Sequence, residues 1–166
     1  LDEKALAFVQ NFAGQWLQLR DLALVMPDKK RFGGFDDKLR RAMRAETETF
    51  FLHLLRDNRP VTEFLAADYT FANAALARHY GLPGEFGPEL RRVSAADFIL
   101  EGANPRGGLL THGSVLTITS NPTRTSPVKR GKWVLDNLLG SPAKEPPPDV
   151  PELEETSPGA QGKTLR

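Results

Sequence analysis

DDKLRRAMRAETETFFLHLLRDN, Asp36–Asn58, is the stretch that sets the architecture. Leu39, Ala42, Met43, Phe50 and Leu54 recur at near-helical steps, so they share one face of a long helix. Asp36 and Asp37 put negative charge at its positive N-terminus, and Asn58 and Pro60 close it. Glu46 and Glu48 stand two apart and point to different sides of a helix. Both are expected in solvent or paired with Arg44 and its neighbours, not working as a carboxylate pair.

Helical spacing continues on either side. Before this stretch, Ala5, Phe8, Val9, Phe12, Trp16 and Leu19 predict an amphipathic helix capped by Asp2 and closed before Pro27. The loop MPDKKRFGGF follows. After it, PVTEFLAA predicts a short helix with Pro60 in its first turn. TFANAALARHYG predicts another, from Thr70 as N-cap to Gly81. Leu82 to Gly108 is dominated by turns, with LRRV as one short strand. GGLLTHGSVLTITSN is compatible with strand or helix and is taken as a helix over about 108–119. In SPVKRGKWVLDNLLG, Ser126 caps, Pro127 is the first helical residue, and Gly140 with Pro142 stops the helix. Trp133, Val134, Asn137 and Leu138 form its buried side.

The expected fold class is therefore mainly α: an irregular multi-helix bundle over residues 1–140. Its core draws on Phe8, Phe12, Trp16, Leu39, Met43, Phe50, Leu54, Phe64, Leu65, Phe71, Leu76, Trp133, Val134 and Leu138. Residues 141–166 carry Pro146, Pro147, Pro148 and Pro151 among acids, a composition for an extended polyproline linker rather than a core.

Bulk composition narrows the function class. A net charge of +1 gives no general attraction to nucleic acid or membrane, and no apolar run reaches a membrane span. The absence of cysteine removes disulfide, thiolate and Cys–zinc chemistry from this piece. Because it begins at Leu1, it is read as an internal piece of a longer protein.

Few residues invite a chemical role. His53 and His79 sit late in helices and are read as structural. His112, in the apolar, Gly-rich LLTHGS, is a candidate ligand to a metal or haem iron, or a backbone-bonding core histidine. Asp68 and Tyr69 read as turn chemistry. TSNPTRTSPVKRGK clusters Arg124, Lys129, Arg130 and Lys132 around a helix start. Arg124, Thr125, Ser126, Lys129 and Arg130 are thus a candidate anion site for a carboxylate, phosphate or haem propionate. The alternative is a plain cap with ion pairs to Asp149, Glu152 or Glu154. No aromatic residues interleave the basic ones, which argues against single-strand nucleic acid binding. No nucleophile elbow, phosphate loop or metal-binding histidine spacing is present.

ADYTFANAALARHYG (67–81), RGGLLTHGSVLTITSNPTRTSPVKRGKWVLDNLLG (106–140) and PPPDVPELEE (146–155), with the helix FDDKLRRAMRAETETFF, resemble the large multidomain c-type cytochrome proteins of planctomycetes and some other bacteria. The domains of those proteins are of uncharacterised function. The resemblance implies that SPGAQGKTLR leads to a Cys-x-x-Cys-His haem-attachment motif. The chain would then be a non-catalytic helical scaffold of an exported, periplasmic electron-transfer protein. Its partner would be a downstream haem domain of the same chain, with no cofactor held in these 166 residues. His112 and Met26 are candidates for a distal haem ligand in the full protein. Two other functions stay open: a substrate-facing part of a haem-dependent oxidoreductase, and an anion-binding interaction module.

Overall fold

The computed structural model describes residues 3–98 and 107–142. Its described part holds six α-helices, three 3-10 turns and one two-stranded sheet, so the mainly α expectation stands. The unstructured tail expected from about Ser141 falls, but for Ser141 and Pro142, outside the described residues. So does the Asp2 cap.

Helix α2 (Asp37–Arg56) is the central element. Asp36 Oδ1 accepts the Leu39 amide at 2.7 Å, and Asn58 ends the helix in a left-handed conformation, φ 48°. Helix α1 (Glu3–Trp16) lies on one side of α2. Its buried line is Val9, Ala13 and then Leu17, an i, i+4, i+8 stripe. Phe8 and Phe12, expected in the core, flank that stripe and remain 48% and 46% exposed. They stack on each other, centroids 5.2 Å apart, and Phe12 meets the edge of Phe51. Leu65 is likewise exposed rather than core, because α3 (Glu63–Ala66) is a single turn that turns Phe64 inward instead.

The helix expected from Thr70 is a strand followed by a shorter helix. Tyr69–Ala72 forms β1, antiparallel to β2 (Arg91–Ser94), with Tyr69 opposite Ser94 and Ala72 opposite Arg91. Tyr, Thr and Phe suit a pleated, half-buried surface, and Arg92 lays its guanidinium 3.9 Å over the Tyr69 ring. The true cap of α4 (Ala74–Tyr80) is Asn73, whose Oδ1 accepts from the Ala75 and Leu76 amides. Gly81, φ 70°, terminates it as expected. The short strand expected at LRRV is present as β2.

GGLLTHGSVLTITSN is not one helix either. A 3-10 turn, Leu109–Thr111, breaks at His112, and α5 (Gly113–Ile118) follows. The break follows from how this segment enters the fold. Gly107 and Gly108 run against the backbone of α3: a Cβ at Gly108 would lie 2.6 Å from Leu65 carbonyl atoms, and one at Gly107 would collide with the Ala67 oxygen. Helix α6 (Pro127–Asn137) has the expected start, with Ser126 Oγ accepting the Lys129 amide. Trp133, Val134 and Leu138 join the α1 side of the core, and Trp16 Nε1 donates to the Asn137 carbonyl at 2.6 Å.

Candidate functional site

Two places concentrate polar groups in an apolar setting. The first is the interior between α2, β1, α4 and α5. Glu46, expected in solvent or paired with Arg44 and its neighbours, is instead 1% exposed. Its carboxylate accepts Thr70 Oγ1 at 2.7 Å and the Tyr80 hydroxyl at 2.6 Å. Tyr80 in turn accepts the Gly113 amide at 2.9 Å, giving a bonded chain from α5 through α4 to α2. Glu48 does pair with Arg44, at 2.7 Å. The difference lies in the stripe: Glu46 follows Met43 by three and precedes Phe50 by four, so it projects into the core. Two hydroxyl donors offset the desolvation of its carboxylate.

His112 closes the same network. Its ring is 1% exposed and meets the face of Phe50 edge-on, 4.9 Å between centroids. Nδ1 lies 3.0 Å from Thr47 Oγ1 and Nε2 lies 3.4 Å from Thr70 Oγ1. Thr47 Oγ1 also lies 2.7 Å from Ser114 Oγ. An external iron or metal would have to displace Thr47 or Thr70 from the ring to be ligated. Met26 is the reverse case, 78% exposed on the loop after the 3-10 turn Leu19–Ala23. A covalently attached haem does not fit the residues of this chain, which has no cysteine to form the thioether. Among the described residues no group of three or more His, Asp or Glu side chains is placed to hold a metal.

His53, Tyr69 and Glu63 have structural partners. His53 Nδ1 lies 3.0 Å from Asp57 Oδ2, and its ring packs on Tyr69 and Phe71. Tyr69 belongs to a strand rather than a turn, and its hydroxyl donates to Glu63 Oε2 at 2.7 Å. Burial, with the Glu63 carboxylate, pushes the Tyr69 hydroxyl up to about 12. The hydrogen bond from Arg59, then that from Tyr69, holds Glu63 below the usual carboxylate range.

The second place is a cleft of about 540 Å³ between the loop 25–35, α2, α4, α5 and the α5–α6 turn. Phe32, Phe35, Leu39, Met43 and Leu116 supply its apolar surface, and Lys38, Arg78 and Arg124 reach it from three separate segments. The α5–α6 turn is held by an isolated bridge between Ser120 and Thr125 and by the Asn121 amide on the Arg124 carbonyl. Arg31 Nη1 on the Thr123 carbonyl and the Asp28 amide on the Pro122 carbonyl tie the loop to that turn.

The five residues expected to form an anion site are thus divided. Arg124 and Thr125 line the cleft. Ser126 is spent as the cap, Arg130 Nε points to Thr119 Oγ1 at 3.4 Å, and Lys129 is exposed. Lys38 and Arg78 were missed, because they come from residues far apart in sequence. A charge at the start of one helix and another at the end of a second gives no local pattern.

Comparison with known families divides the chain in two. Residues 1–82 match PSD4, a protein of unknown function (DUF1592). Residues 106–166 match PSCyt3, a protein of unknown function (DUF1588). No curated protein and no solved structure matches the chain. The two matches meet inside one core: Val9, Leu19 and Phe51 from the first pack with Leu109, Val115 and Trp133 from the second. Glu46, Thr47 and Tyr80 of the first bond within the network that holds His112, Gly113 and Ser114 of the second. The chain is therefore similar to PSD4 over its first half and to PSCyt3 over its last third, with the described parts of both joined in one folded body.

Proposed function

We propose that this body is a non-catalytic helical scaffold in an exported, extracytoplasmic multidomain c-type cytochrome. It supports electron transfer by holding a haem-bearing segment elsewhere in the same protein. The observation that carries this reading is the union of a PSD4-like and a PSCyt3-like segment in one core, the second of which bears a cytochrome label in its name. The placement of the acid–base groups is consistent with it. Glu46 and His112 are enclosed with hydroxyl partners, an arrangement that fixes elements relative to one another rather than meeting a substrate. No helix among the described residues is long and apolar enough to cross a membrane.

The test is the full-length gene product, exported in a host that attaches c-type haem. A reduced-minus-oxidised spectrum, with haem that resists acid–acetone extraction, is the expected result. A full-length product without covalent haem, or substrate turnover by the 166 residues alone, contradicts the proposal.

A further inference from the structure

The scaffold role leaves the cleft beside α2 without a use. We propose that it binds an organic carboxylate with an apolar body, the acid head at the basic rim and the body on the aromatic and aliphatic floor.

Size is the first support. A volume of about 540 Å³ falls inside the range of small-molecule sites, roughly 300–1,000 Å³. The cleft is also walled by separate elements that are cross-tied, since Asp28 and Arg31 bond to the α5–α6 turn. Such ties keep it formed without a ligand, which lowers the ordering cost of binding.

Charge is the second support, and it selects the ligand class. Lys38 stands in the first turn of α2, Arg78 in the last turn of α4 and Arg124 in the turn before α6. Among the described residues, Arg40, Arg44, Arg59 and Lys132 each have an ion-pair partner, and these three cations have none. The carboxylate on the same wall, Asp36, already accepts the Leu39 amide as a helix cap. Three cations therefore face one occupied carboxylate over an apolar floor. Guanidinium groups recognise a carboxylate through paired, charge-assisted hydrogen bonds. A bare inorganic anion would leave the exposed faces of Phe32, Phe35 and Leu116 wet. A neutral apolar molecule would cover the floor and leave the cations unanswered.

The experiment is a calorimetric titration of the 166-residue chain with octanoate, 1-octanol, acetate and inorganic phosphate. Octanoate is expected to saturate, with the other three about tenfold weaker or more. Arg78→Gln and Arg124→Gln, both exposed, should each weaken octanoate by about threefold to fivefold, with an unchanged melting temperature. Arg56→Gln, at the far end of α2, should leave it unaltered. The proposal is overturned if octanol binds as well as octanoate, if phosphate does so, if the two arginine variants bind normally, or if nothing binds.

Discussion

Thr47→Val tests the interior network with the least change of shape. Thr47 is fully buried, with Oγ1 at 3.0 Å from His112 Nδ1 and 2.7 Å from Ser114 Oγ. Valine fills nearly the same volume and removes only the hydroxyl. Two enclosed partners then each lose a hydrogen bond, at about 1–3 kcal/mol apiece when nothing replaces it. The extra methyl returns up to about 1 kcal/mol. The net loss lies between about 1 and 6 kcal/mol, centred near 3, a large share of the roughly 5–15 kcal/mol that holds a domain. In urea, with a slope of about 2–3 kcal/mol per molar, the midpoint should fall by about 1 M at constant slope. Thr49→Val, half-buried on the same helix and outside the network, should stay within about 0.5 kcal/mol of the parent. Combining Thr47→Val with Ser114→Ala should cost at least about 1 kcal/mol less than the sum of the two, because the bond they share is lost only once. If Thr47→Val is indistinguishable from Thr49→Val, the network does not hold α2 to α5, and the reasoning fails.

Three further outcomes follow from the geometry. Tyr69 has its hydroxyl raised from 10.0 to about 12, so the unfolded chain ionises first; stability should be intact below pH 10 and fall between pH 10 and 12. Tyr69→Phe should flatten that fall relative to the parent, read by denaturation at stepped pH. Gly108→Ala should destabilise by more than about 2 kcal/mol, since φ is 63° and a Cβ would lie 2.6 Å from Leu65 backbone; Gly140→Ala, also at positive φ but with open space, should cost about 1 kcal/mol, and thermal melts would separate them. Asn73→Ala should cost about 1 kcal/mol through the α4 cap, with Asn73→Asp, which keeps the accepting oxygen, far milder in thermal melts; equal effects would mean Asn73 is not the cap.

Legibility in the sequence depended on how local the determining contacts are. The caps at Asp36 and Ser126–Pro127, and the stop at Gly81, rest on hydrogen bonds and φ values within three or four residues, and they are where the pattern puts them. Thr70 misled because Thr is both a good cap and a good strand residue; the arbiter is β2, more than twenty residues on. Phe8 and Phe12 misled because the largest side chains of a stripe need not be its buried ones: the smaller Val9 and Ala13 face α2. Glu46 had a usable signal, its place on the Leu39–Met43–Phe50–Leu54 stripe. Its partners Thr70 and Tyr80, 24 and 34 residues away, could not be inferred from spacing. The cleft was half legible: Arg124 stood in a basic run, while Lys38 and Arg78 meet it only through the packing of α4 on α2.

Native-state hydrogen exchange on the whole chain, followed at rising urea, is the most direct measurement of whether the PSD4-like and PSCyt3-like segments form one body. The slowest amides of α2, in residues 1–82, and of α5, in residues 106–166, should converge on a single opening free energy equal to that of global unfolding. An α5–α6 segment that opens well below α2, with its own urea dependence, would contradict the shared core.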